Sequence, residues 1–208
     1  MNTLDQSRWE TLWKATGAAG NPMPWFLVLV NAYAESQRHY HNSQHIAECL
    51  TQFDVGRHLA LQPAAIEFAL WFHDAVYDPK AGDYEEKSAK LAERCLQEAG
   101  LDAEFITTVV RLVLATKKHD GGGDKDTELM LDIDLSILGQ PPERFGQYES
   151  QIRQEYSWVP EEIFAEKRAE ILEQFLQRKN IYNTSYFRDR LERQARNNLR
   201  KSIQTLLV

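Results

Sequence analysis

The sequence predicts an all-α protein: a single domain of roughly eight to ten helices over residues 1–208. Two observations carry this expectation. Apolar residues recur at three- and four-residue intervals in almost every segment, and the strict alternation of a half-buried strand is hard to find. The punctuation agrees, since Pro24 and Pro63 stand where a first helical turn accepts proline and Gly100 follows a helix end.

In chain order, the helical patterns are "SRWETLWKAT", "SQHIAECLTQF", "PAAIEFALWFHDAV", "DYEEKSAKLAERCLQEAG", "DAEFITTVVRLVLATKKH" and "DTELMLDIDLSIL". "HDGGGDKD" reads as a loop. It has no Lys-Ser/Thr at the spacing that would make its glycines a phosphate-binding loop. Three further amphipathic segments follow, "PPERFGQYESQIRQEYSWV", "PEEIFAEKRAEILEQFLQRK" and "SYFRDRLERQARNNLRKSIQTLL". The last carries Arg188, Arg190, Arg193, Arg196, Arg200 and Lys201, most simply a solvated face. No repeat or Pro/Gly/Ser-rich linker interrupts the chain.

Composition narrows the function classes. With 43% hydrophobic and 26% charged residues the chain matches soluble globular proteins rather than disordered or fibrous ones. A net charge of −7 leaves no general footprint for a phosphate backbone, so nucleic acid is not an expected partner. Cys49 and Cys95 sit in apolar helical patterns without CxxC spacing, which points to buried thiols in a reducing compartment and a cytoplasmic protein. The start "MNTLDQSRWETLW" lacks a signal-peptide pattern, and the longest apolar run, "WFLVLV", is too short to cross a bilayer, so no membrane partner is expected. The sequence leaves the oligomeric state open.

The chemistry gathers around histidine. Three of the six histidines, His39, His41 and His45, fall in "RHYHNSQHI", residues 38–46. If that segment is helical, His41 and His45 share a face. Downstream come His73-Asp74 at the end of the apolar run "FALWF", His119-Asp120 at a helix end, and Asp132 and Asp134 in "LMLDIDLSIL". Imidazole nitrogens combined with carboxylate oxygens suit divalent ions from Mn to Zn, and two of each leave positions open for water. A hydrogen-bonded core histidine beside a loop-opening carboxylate is the competing reading of His73-Asp74 alone. Asp132 and Asp134 are harder to explain that way. Leu129, Leu131, Ile133, Leu135 and Leu138 leave their helix little exposed surface, so at least one aspartate faces a partner inside the protein.

The order of these elements, a histidine, then His-Asp, then a distant aspartate in an apolar helix, resembles the HD superfamily of metal-dependent phosphohydrolases. The resemblance spans about residues 38–139, and the whole chain looks like the bacterial group of HD-superfamily hydrolases. It implies an HD-type helical bundle with additional C-terminal helices, in which His45, His73, Asp74 and Asp134 hold a divalent ion (Mn, Mg, Co, Ni, Fe or Zn). "YHNSQH" is similar to the Tyr-His-Asn-x-x-His segment of cyclic-nucleotide phosphodiesterases, which implies His45 as ligand and His41 as the acid that protonates the leaving oxygen. "DIDLSILG" is similar to an Asp-Ala-Asp-Leu segment whose second aspartate completes the site. That assigns Asp134, and Asp132, about 200° away around the helix, is held in reserve.

The implied activity is hydrolysis of a small phosphorylated compound, a nucleotide among the options, by a water that the ion activates and Asp74 orients or deprotonates. Arg38 and Lys117, with Lys118 beside it, are candidate phosphate contacts. His119 is a candidate ligand for a second ion, or else a helix-end histidine facing the dipole. Glu85 and Glu86 in "DYEEKSA" are expected to be solvated helix-start carboxylates. Two other functions compete: a non-catalytic nucleotide-sensing module and, needing more histidine ligands, a di-iron oxygenase.

Overall fold

Ten α-helices and two short 3-10 turns form the regular structure of the computed structural model, which describes residues 4–207; no strand occurs among the described residues. The protein is all-α, as expected. Residues 1–3 and 208 of the expected 1–208 domain lie outside the described residues. The chain divides into two compact units, Met1–Leu131 and Asp132–Val208.

The first unit holds α1 (Gln6–Ala15), α2 (Met23–Tyr33), α3 (Ser43–Gly56), α4 (Pro63–Phe72), α5 (Tyr84–Glu98), α6 (Ala103–Ala115) and most of α7 (Lys125–Asp134). Several helices begin where a side chain supplies the missing acceptor for their first N–H groups. Asp5 accepts from Ser7 and Arg8, Asn42 from Gln44, and Asp102 from Phe105. Pro63 opens α4, and just ahead of it the Asp126 carboxylate accepts the N–H groups of Leu61 and Gln62 at 2.7 and 2.8 Å.

α4 is apolar on every side and lies at the centre of this unit, packed against α1, α3, α5 and α6. Every residue from Ala65 to Phe72 is buried. Trp9 of α1 meets the rings of Phe68, Trp71 and Phe72 at centroid distances of 5.5, 5.4 and 6.1 Å, and burying side chains of this size contributes about 2–3 kcal/mol each. The one carboxylate on this helix, Glu67, is buried but receives Arg8 and Arg57, each at 2.7 Å.

Three helix boundaries differ from the sequence pattern. α4 stops at Phe72 with His73 as its C-cap, because the carbonyls of Asp74 and Ala75 turn to the Arg38 guanidinium instead of continuing the ladder. α7 begins at Lys125, inside the stretch expected to be loop, and gives way to a 3-10 turn, Leu135–Gly139, immediately after Asp134.

The second unit contains that turn with α8 (Pro142–Glu155), α9 (Glu161–Gln177) and α10 (Ser185–Leu206). α10 packs against α9 and the turn, and α8 also meets the turn. Gly139 makes this approach possible: a Cβ there would lie 2.6 Å from Leu191 Cβ and 2.9 Å from the Leu191 carbonyl oxygen. Asn198 donates to the carbonyls of Leu138 and Gln140 at 2.8 Å each. Of the basic residues on α10, Arg190, Arg193, Arg200 and Lys201 are exposed as expected. Arg196 is half-buried and donates to the carbonyls of Leu176, Arg178 and Lys179, which secures the end of α9.

Asp132 is fully buried and holds the entry to α10: its carboxylate accepts the backbone N–H groups of Asn183 and Thr184, the Thr184 hydroxyl and the Asn183 amide at 2.7–3.1 Å. Burial pushes this carboxyl up, and those hydrogen bonds only partly oppose it. Asp132→Ala should therefore lower stability by about 1–2 kcal/mol, seen as a lower urea midpoint with unchanged slope, since the donors of Asn183 and Thr184 lose their acceptor. An unchanged midpoint would show that water replaces the carboxylate without cost.

Candidate metal centre

The candidate site of the first unit is assembled by the start of α3 and the end of α4. Asn42 caps α3, so His45 lies in its first turn and His41 in the turn before it. The expectation that His41 and His45 share one helical face is therefore corrected: the cap residue stands between them in sequence. The chain reversal still brings their rings to a centroid distance of 5.9 Å.

His45 and His73 are buried and point their Nε2 atoms at each other across 3.1 Å. Asp74 Oδ2 lies 3.3 Å from His45 Nε2 and 3.2 Å from His73 Nε2. Two donors each about 2.1 Å from one ion stand about 3.0 Å apart at a right angle and about 3.4 Å apart at the tetrahedral angle. The three observed edges lie between those limits. His73 Nδ1 faces the Leu70 carbonyl at 3.0 Å and donates to it, which turns Nε2 toward the site. Lone pairs converging this closely repel unless a cation or a proton lies among them, so the residues fit a divalent ion.

Cys49, one helical turn after His45, joins this group. Its Sγ lies 3.7 and 3.8 Å from the two ring nitrogens of His45, and His45, Cys49 and His73 each offer a ligand atom within 4.8 Å of the others'. A cluster of His, Cys and Asp side chains that could hold a metal ion is thus present in the first unit. Burial works to raise the Asp74 carboxyl. The imidazoles of His73 and His41, with hydrogen bonds from His45 and His73, bring it well below the usual carboxylate range, so it faces the site as an anion.

His41 stacks on Tyr77, with centroids 4.2 Å apart and planes 25° apart, and Tyr40 lies 4.7 Å from the His45 ring. Arg38 organises this wall. The sequence suggested a phosphate contact, but the guanidinium is buried and donates to the carbonyls of His41, Asp74 and Ala75 at 3.0, 2.6 and 3.0 Å and to Glu35 at 2.9 Å. It also lies over the rings of Tyr33 and Tyr77. One side chain thereby ties the His41 turn to the His73-Asp74 turn. Arg38→Lys keeps the charge and loses the planar fork, so a loss of about 2 kcal/mol of stability is expected in chemical denaturation. A lysine variant as stable as the parent would mean that charge alone holds these turns.

Asp134 is the half-buried last residue of α7, just inside the second unit, where it adds to the upward push on the buried Tyr148 hydroxyl. Asp132 is committed to Asn183 and Thr184. Lys117 donates to the Gly82 carbonyl and to Glu86, each at 2.7 Å. Glu86 is half-buried, and Glu85 is buried rather than solvated. His119 follows α6 in a left-handed conformation, φ 48°, and among the described residues it is not part of the metal-capable group.

Sequence reasoning missed Cys49 as a member of the cluster, although its spacing of four from His45 was the available signal. It also missed Tyr77, which no motif marked. Compared with known proteins, the chain matches no family model, and no curated protein or solved structure is significantly similar to it. No helix among the described residues is long and apolar enough to cross a membrane.

Proposed function

We propose that the protein is a metal-dependent phosphohydrolase of the HD type that hydrolyses a small phosphorylated compound, a nucleotide being one such compound. The observation that carries this reading is the convergence of His45 Nε2, His73 Nε2 and Asp74 Oδ2 within 3.3 Å of one another, with the His41 ring beside them. A divalent ion held there supplies a Lewis acid for phosphoryl oxygens and acidifies water for attack on phosphorus. His45, His73 and Asp74 hold the ion, and Asp134 completes the set by the resemblance to HD proteins. Asp74 would also orient or deprotonate the attacking water. His41, poised against Tyr77, protonates the leaving oxygen. Lys117, a cation held by Gly82 and Glu86, is the remaining candidate phosphate contact, by exchange of its Glu86 partner.

This reading places the protein in the cytoplasm, where the free, buried thiols Cys49 and Cys95 stay reduced. The test is release of phosphate from a broad panel of phosphomonoesters and phosphodiesters by protein loaded in turn with Mn, Mg, Co, Ni, Fe and Zn. Turnover with at least one ion, abolished by chelation, is expected. No release from any substrate with any ion overturns the proposal.

A further inference from the structure

The second unit carries two stripes of opposite charge on neighbouring helices. At about 100° per residue, Glu162, Glu166, Glu170 and Glu173 fall within about 80° of one another around α9, and Arg190, Arg193, Arg200 and Lys201 within about 100° around α10. All of these residues are exposed. α9 and α10 pack on each other, yet no ion pair joins the two stripes among the described residues. Lys167 takes Glu170 on its own helix, and Arg190 turns to the ring and carbonyl of Tyr186. The side chains of Glu162, Glu166, Glu173, Arg193, Arg200 and Lys201 have no hydrogen-bond or ion-pair partner among the described residues. In the first unit, by contrast, exposed charges are met within the chain: Lys87 by Asp83, Arg94 by Glu98 and Arg111 by Asp124. Apolar surface accompanies the unmatched charge, since Ile163 and Ile171 of α9 are 51% and 45% exposed.

We infer that this surface of the second unit is the interface of a homodimer, in which the glutamate stripe of α9 lies against the basic stripe of α10 of a second copy. One two-fold axis makes that match twice, because each copy offers both stripes, and the pairing closes with neither stripe left over. Opposed charge sets the register and speeds encounter, while covering Ile163 and Ile171 removes apolar area from water. Exposed ion pairs are individually weak and are screened by salt, so the dimer loosens as ionic strength rises. A polyanion is the other occupant that the basic stripe could take. The net charge of −7 and the glutamates on the neighbouring helix oppose it, whereas a second copy brings acid to the basic stripe and base to the acidic one. Neither stripe includes a residue of the metal centre, so the dimer and the phosphohydrolase reading stand or fall separately.

The test is the mass of the full chain in solution, read by sedimentation velocity and light scattering over a concentration series. At low ionic strength the parent should sediment as a dimer, and its dissociation constant should rise at least about tenfold when salt is raised from about 0.05 to 0.5 M. Arg193→Glu with Arg200→Glu should give a monomer, and so should Glu166→Arg with Glu173→Arg, because each reversal sets like charges against each other. Mixing the two reversed proteins should restore a dimer, since each then meets the charge its partner stripe lacks. Arg193→Gln with Arg200→Gln, which removes charge without reversing it, should weaken the dimer and guards against a folding defect in the reversed proteins; far-ultraviolet circular dichroism confirms that every variant stays helical. A parent that is monomeric at low salt overturns the inference, as does a dimer that survives both reversals or a pair of reversed proteins that fails to associate on mixing. A monomeric parent that heparin retains through Arg193 and Arg200 gives the basic stripe to a polyanion and overturns it too.

Discussion

His45→Ala is expected to leave the protein without its divalent ion after gel filtration, and His73→Ala and Asp74→Ala should do the same. The three donors form a triangle with edges of 3.1, 3.2 and 3.3 Å, so removing any corner takes away one of the groups that fix an ion's geometry. A closed four-ligand protein site binds zinc with about 10–16 kcal/mol near neutral pH, so one ligand is worth on the order of 3 kcal/mol, or about 100-fold in affinity. Elemental analysis reads the outcome, with circular dichroism showing that the helices persist. Normal metal content in one variant removes that residue from the site. Asp134→Ala belongs in the same series, because its assignment comes from resemblance. If that variant alone keeps the ion, the first unit's own donors, Cys49 included, suffice.

The helices were legible wherever one physical signal dominated. Asp5, Asn42 and Asp102 each precede a run with a three-to-four-residue apolar period, and each caps the helix that the pattern predicts. The apolar run Ala65–Phe72 showed in the same way that α4 would be buried. The legible signal ended where tertiary contacts override the period. Nothing local says that α4 stops at Phe72, because the groups that end it are Asp74 and Ala75 carbonyls reaching an arginine 36 and 37 residues earlier in the chain. The same contact turned an apparent phosphate ligand into an internal brace: Arg38 reads as a surface cation in sequence, and only the fold shows three carbonyls around it. The site was legible as a set of residue types, His45, His73 and Asp74, since few other roles explain such a group near the end of an apolar helix. Its geometry was not, as His41 shows. The four-residue spacing suggested a shared helical face, whereas Asn42 caps the helix between the two histidines and a chain reversal brings their rings together.

That separation of His41 from the helix sets up the sharpest test of the proposed division of labour. His41→Ala should keep the metal and lose turnover by about 10²- to 10⁴-fold, the usual contribution of a positioned general acid. His41 lies outside the triangle formed by His45, His73 and Asp74, and its ring is held by the 4.2 Å stack on Tyr77, so its loss removes no edge of the metal site. The His41 and His45 ring centres are 5.9 Å apart, which places the His41 ring beside the ligand ring without making it a corner of the triangle. The deficit should depend on the leaving group. It should be largest for an alkyl phosphate, whose alkoxide must be protonated as it departs, and should shrink toward nothing for a nitrophenyl ester, whose anion leaves unaided. Kinetics on both substrates, run beside metal analysis of His41→Ala and His45→Ala, separate the roles. An equal deficit on both substrates would show that His41 positions the site rather than donating a proton. A His41→Ala protein that emerges metal-free, beside a His45→Ala protein that keeps its ion, would exchange the ligand and the acid.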